Sequence, residues 1–199
     1  MSGTGRPAIV MDRDGTVCEE VGYVNHVSRV RLLPRSAAAI RAAREAGFAT
    51  VLVTNQAGVA RGYFDESLVH RVHERLRRLL AAEGAAVDAI YHCPHHPEAG
   101  EPPYRKDCDC RKPRPGMILR ARDDLSLDLS RSYTIGDSMR DVEAGRRAGT
   151  ATVLVMTGYG RGELEHRSGS WKMRPDHVAE DLMDAVAWIL AREREEAPR

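Results

Sequence analysis

No charge of one sign dominates this chain. Its 30 basic and 29 acidic residues leave a formal charge of +1 over 199 residues, so no global field favours nucleic acid or an anionic membrane as a partner. Long apolar runs are missing too: no stretch approaches the roughly 20 residues needed to span a bilayer. Met1 to Pro7 carries no apolar signal-peptide core, which sets the expectation of a cytoplasmic protein. Aromatic residues make up only 5%, and Trp171 and Trp188 read as packing residues and not as a base-stacking platform. Neither an internal repeat nor a low-complexity linker divides the sequence. The length suits one α/β domain with a proper core, so residues 1–199 read as a single, monomeric domain. Its charged tail, Arg192 to Arg199, is expected to fray.

What is present is an alternation of two apolar patterns. Short Val/Ile/Leu runs bounded by Gly, Asp or Thr predict strands at 8–12, 49–54, 87–91, 132–136 and 151–156. Helical spacing, as in Val69, Val72, Leu76, Leu79 and Leu80, predicts helices at about 34–46, 65–83, about 115–123, 141–148 and 181–194. Such alternation argues an α/β fold, a Rossmann-like parallel sheet with helices on both faces. Ligands of these sheets bind outside the carboxyl ends of the strands. Gly158, Gly160 and Gly162 follow the last strand without the spacing of a dinucleotide fingerprint and read as a flexible loop. The His- and Arg-rich stretch from His70 to Arg78 reads as a solvated helix face.

The chemistry concentrates where strands end. Asp12-Arg13-Asp14-Gly15-Thr16 directly follows the apolar run Ala8-Ile9-Val10-Met11. Two carboxylates two positions apart at the mouth of a buried strand can hold a hard cation such as Mg²⁺ and leave one oxygen free to attack phosphorus. Arg13, between them, is expected to pair structurally. The strand ending in Thr54-Asn55-Gln56 brings a hydroxyl and two amides, Arg111-Lys112 brings two cations, and Gly136-Asp137 brings another acid.

Cysteine is scarce, yet three of the four thiols are concentrated. Cys93-Pro94-His95-His96-Pro97 and Cys108-Asp109-Cys110 match the Cys₃His set of a closed zinc site, soft ligands where the carboxylates are hard ones. Disulfide pairing is the competing reading, since four cysteines permit three connectivities. A reducing compartment favours zinc, with Cys93, His95, Cys108 and Cys110 as ligands, His96 as a solvated or supporting neighbour, and Cys18 as the spare. Because Cys110 runs straight into Arg111-Lys112, metal binding would fix both cations.

The order nucleophile, hydroxyl, lysine, acid resembles that of the haloacid dehalogenase-like phosphatases, from about Ile9 to Gly158. Asp-x-Asp-Gly-Thr together with Cys-x-His and Cys-x-Cys-Arg-Lys-Pro-x-Pro-Gly-Met is similar to one branch of them, the D-glycero-D-manno-heptose 1,7-bisphosphate 7-phosphatases and their histidinol-phosphatase relatives. The resemblance implies a fold with no large cap domain and a zinc loop at about 92–111. It implies Mg²⁺ held by Asp12, the Asp14 backbone carbonyl and Asp137. Asp12 would be the nucleophile, Asp14 the general acid and then base, and Thr54 and Lys112 the phosphoryl-binding pair. Glu20, Gly22, Tyr23, Asn55, Gln56 and Arg111 become candidate substrate contacts, Arg111 toward a second phosphate, and Asp141 a residue that orients or caps. The substrate would be a phosphorylated sugar, losing its C7 phosphate. Gly22-Tyr23-Val24, the Ala-Gly-Val-Ala-Arg-Gly run after Gln56 and the long loop between the thiol pairs lean toward heptose. Histidinol phosphate is the alternative, and a non-catalytic zinc-stabilised binding module a remoter one. Ser138-Met139 departs from the charged residue of some relatives.

Overall fold

The computed structural model describes residues 5–196. Six parallel strands form one sheet in the order β3-β2-β1-β4-β5-β6: β1 (Ala8–Met11), β2 (Ala49–Asn55), β3 (Ala89–Cys93), β4 (Tyr133–Gly136), β5 (Ala151–Val155) and β6 (His177–Ala179). The connections are α1 (Ser36–Glu45), α2 (Glu66–Ala82), α3 (Gly116–Leu125), α4 (Met139–Ala148) and the short turn α5 (Gly160–Gly162), and α6 (Leu182–Glu196) closes the chain. Among the described residues no helix is long and apolar enough to cross a membrane.

β1 lies at the centre because all four of its residues can be buried on both faces. Alternation along the strand splits them between two cores. Ile9 and Met11 join Ile40 of α1, Leu76 of α2 and Ile189 of α6, whereas Ala8 and Val10 join Met117, Ile118 and Ala144 from α3 and α4. The register Met11↔Leu52 on one side and Met11↔Ile135 on the other brings three strand ends level. Asp12, Thr54 and Asp137 therefore emerge together.

The differences from the expected elements have local causes. β3 starts at Ala89 rather than 87 because the Asp88 carboxylate accepts the Thr50 N–H at 2.7 Å and holds the chain back. Its end consequently moves to Cys93, inside the sheet. At the opposite edge Asp176 accepts the Thr152 N–H, also at 2.7 Å, and launches β6, a three-residue strand too short to show a sequence pattern. α4 starts two residues early, capped reciprocally by Ser138 and Asp141. α1 starts late because Arg35 takes a left-handed conformation (φ 65°), anchored by its fork on Asp181 beside α6. His73 is buried and not solvated, and burial pushes its imidazole down to about 2. The expected fraying tail is helical to Glu196, and Ala197 to Arg199 lie outside the described residues.

Candidate active site

A cavity of about 240 Å³ opens at the carboxyl ends of β1, β2 and β4. It is lined by Asp12, Asp14, Glu20, Gly22, Tyr23, Thr54, Asn55, Gln56, Arg111, Lys112 and Asp137, together with Ser138, Arg140, Asp141 and Tyr159. The first eleven are the candidates that the sequence motifs mark; Arg140 and Tyr159 carry no such mark.

Asp12 continues the β1 ladder, its N–H donating to Ile135 O at 3.0 Å, so the sheet fixes where its carboxylate stands. Lys112 Nζ lies 2.9 Å from Asp12 Oδ1 and 2.6 Å from Asp141 Oδ1 and donates to Val53 O at 2.8 Å. Burial alone would lower the lysine's affinity for its proton, but Asp12 and Asp141 outweigh it and hold the ammonium above its ordinary range. One cation does not neutralise the cluster. Burial first, then repulsion from Asp141 and Asp14, pushes Asp12 up to about 7 despite Lys112. Burial and the charges of Asp12 and Asp141 push Asp137 up to about 8.

Oxygens of Asp12, Asp137 and Asp141 lie within 4.8 Å of one another, and such crowded hard oxygens suit Mg²⁺. Asp141 has other work: it accepts the Ser138 N–H as the helix cap and faces Lys112, which leaves Asp12 and Asp137 as the pair best suited to a metal. Asp137 is walled in by backbone. A Cβ on either Gly15 (φ 79°) or Gly158 (φ 54°) would collide with its Oδ2, and the Tyr159 N–H donates to that oxygen at 2.8 Å. Thr157 Oγ1 donates to Gly15 O at 2.6 Å, tying the two loops together. Gly158 is thus pinned against Asp137 at the site, and Gly160 to Gly162 form a short helical turn with Gly160 buried, where the glycines lead one to expect a flexible loop.

Asp14 is held by three donors. Arg13, 1% exposed, forks onto it through Nε (3.0 Å) and Nη2 (2.7 Å). Gln56 Nε2 donates to Asp14 Oδ2 at 3.1 Å and to Thr54 Oγ1 at 3.0 Å, so the amide links acid and hydroxyl. Asn55 lines the cavity, and its amide engages the backbone of Lys112. Its Oδ1 accepts Lys112 N–H at 3.0 Å and its Nδ2 donates to Lys112 O at 3.1 Å, clamping the lysine's backbone. Glu20 accepts the Gly22 N–H. Tyr23 packs edge-on against Tyr63, with centroids 4.8 Å apart. Tyr23, Tyr63 and Tyr159 are the exposed large apolar side chains among the described residues, and two of them line the cavity.

The thiols converge beside this cavity. Cys93 Sγ lies 3.5 Å from Cys108 Sγ and 3.1 Å from Cys110 Sγ, and His95 Nδ1 lies 3.3 Å from Cys110 Sγ and 3.6 Å from Cys93 Sγ. All four cysteines are free, and these separations exceed the roughly 2.05 Å of a disulfide. They approach the roughly 3.3 to 3.8 Å between ligands around tetrahedral zinc that Zn–N and Zn–S bond lengths imply. The contact between Cys93 and Cys110 leads the shifts of both thiols, pulling Cys110 down to about 5 and raising Cys93. His96 turns away: its Nδ1 accepts the N–H groups of Glu98 and Ala99, which leaves His95 as the imidazole of the cluster.

The haloacid dehalogenase-like (HAD) hydrolase family model matches residues 109–185. The chain is 44% identical over 190 residues to the D-glycero-D-manno-heptose-1,7-bisphosphate 7-phosphatase of Thermosynechococcus vestitus, covering 92% of this chain and 95% of that protein. It is 44% identical over 153 residues to the D-glycero-beta-D-manno-heptose-1,7-bisphosphate 7-phosphatase of Escherichia coli, covering 76% and 80%. Among solved structures, the D,D-heptose 1,7-bisphosphate phosphatase of B. bronchiseptica, complexed with magnesium and phosphate, superposes with a TM-score of 0.82 at 36% identity, covering 94% of this chain and 99% of that one.

Proposed function

The chain belongs to the D-glycero-D-manno-heptose-1,7-bisphosphate 7-phosphatase family of haloacid dehalogenase-like phosphatases, and from that premise we propose that it removes the C7 phosphate of D-glycero-D-manno-heptose 1,7-bisphosphate through an aspartyl phosphate on Asp12. The observation that carries the reading is the convergence of Asp12, Asp14, Thr54, Lys112 and Asp137 on one cavity. A zinc-stabilised binding module has no use for that set.

Asp12 bonds to phosphorus in line as the bond to the sugar oxygen breaks, and that oxygen leaves with a proton from Asp14. Asp14 then takes a proton from a water whose oxygen attacks the aspartyl phosphate, regenerating the Asp12 carboxylate and releasing inorganic phosphate. Arg13 and Gln56 orient Asp14 for both transfers. When Asp12 becomes an acyl phosphate it loses its charge, and the attraction of Lys112 passes to the phosphoryl oxygens beside it, with the Thr54 hydroxyl as a further donor. Asp12, Asp137 and the Asp14 backbone carbonyl would hold Mg²⁺, which when bound supplies positive charge against those oxygens. Cys93, His95, Cys108 and Cys110 would hold a structural zinc. Its effect would be felt at Lys112, two residues on and clamped from the other side by Asn55. Tyr23 and Tyr159 offer apolar faces to the sugar at the cavity mouth.

The test is phosphate release with Mg²⁺ across a panel of heptose 1,7-bisphosphate, other sugar phosphates and histidinol phosphate. We expect the highest kcat/KM for the heptose bisphosphate. A higher value for histidinol phosphate would leave the phosphatase and remove the substrate assignment.

A further inference from the structure

Arg111 and Arg140 reach the same cavity from different elements, Arg111 from the thiol-rich loop and Arg140 from the first turn of α4. Most of this chain's arginines near a carboxylate are ion-paired, among them Arg13, Arg35, Arg44 and Arg114. These two are not. Among the described residues, Arg111 donates Nη1 to His95 O at 3.3 Å, and Arg140 bends its Nε back to Ser138 Oγ at 3.4 Å. Neither has a carboxylate within ion-pair distance. Glu20, which lines the cavity with them, accepts the Gly22 N–H and feels Arg140 without pairing with it, while Asp12 and Asp141 face Lys112 and Asp14 faces Arg13.

Two unpaired like charges at the rim of an anion-processing site call for an anion between them. A phosphate monoester carries about two negative charges and three free oxygens, more than one guanidinium fork engages. The transferred phosphoryl group already has Lys112. We propose that Arg140, together with Arg111, binds the second phosphate of the substrate and sets the preference for a bisphosphate over a monophosphate. This rests on the bisphosphate reading of the site and adds to it a residue that nothing in the motif order marks. Arg140 is exposed on a capped helix turn, so its side chain can be removed without opening the core.

The experiment compares kcat/KM for heptose 1,7-bisphosphate and heptose 7-phosphate, which share the scissile ester and differ in the second phosphate. In the parent enzyme the ratio should favour the bisphosphate. In Arg140→Ala the ratio should fall roughly ten- to a hundred-fold, the scale of one lost charge-assisted contact, mostly through KM, and Arg140→Lys should recover part of it. A merely structural role would lower both substrates together and leave the ratio where it was. A parent enzyme indifferent to the second phosphate overturns the bisphosphate reading and this subsite with it. A parent preference that survives intact in Arg140→Ala overturns the Arg140 assignment alone.

Discussion

Two polar clusters stand side by side in this protein, and they differ in what completes them. Asp12, Asp137, Asp141 and Lys112 open onto a cavity, carry more negative than positive charge, and hold two carboxyls far above their ordinary value. Cys93, His95, Cys108 and Cys110 close on one another at 3.1 to 3.6 Å. The first arrangement leaves room for a ligand to change; the second has only its own centre to fill. Hard oxygens suit a replaceable cation and a phosphate, soft thiols a permanent ion. Lys112 joins them, since the loop that carries the thiols also places the ammonium between Asp12 and Asp141.

If that division is right, damage to the open cluster removes chemistry and spares structure. Asp12→Asn should lower turnover on the order of a thousandfold or more, since an amide cannot form the acyl phosphate, while zinc content and melting temperature stay near those of the parent. Activity within tenfold of the parent would remove Asp12 as nucleophile.

Damage to the closed cluster should do the reverse first. Cys108→Ser should take zinc from about one per chain to near none, lower Tm on the order of 5 to 10 °C, and reduce kcat about tenfold through displacement of Lys112. Asn55→Ala is the companion variant: it should lower kcat by a similar factor, as two bonds to the lysine backbone are lost, yet keep its zinc. Elemental analysis beside phosphate release separates the two routes. Full activity in zinc-free Cys108→Ser would disconnect the clusters.

The smallest effect concerns pH. Asp12 at about 7 and Asp137 at about 8, against an ordinary 3.8, bind protons more tightly in the folded chain than in the unfolded one. Their contribution to stability is complete below about pH 4 and is lost as pH rises through 7 and 8. A cation replaces those protons, so the rise in Tm on adding Mg²⁺ should grow from pH 5.5 to pH 8, by a few °C. An equal or smaller rise at pH 8 would contradict the crowding of these carboxyls.

The strands that carry the site were legible because each is a short run of apolar residues buried on both faces, and the motif residues sit at their ends. β6 was not: His177–Ala179 is too short for a pattern, and the Asp176 to Thr152 contact that launches it spans 24 residues. Gly158 was illegible for a similar reason, since its constraint comes from Asp137 across the cavity. Its position just beyond the carboxyl end of β5 was the available signal. Asn55 and Gln56 show another limit. Two neighbouring amides look alike in sequence, and the structure sends one to the Lys112 backbone and the other to Asp14 and Thr54.

The open cluster should cleave a heptose bisphosphate at C7 and spare C1. Phosphorus NMR of the reaction with heptose 1,7-bisphosphate and Mg²⁺ follows both esters at once. We expect the C7 phosphate resonance to disappear into inorganic phosphate while the C1 phosphate resonance persists at full intensity. Loss of the C1 phosphate first, or of both at equal rates, would contradict the claim.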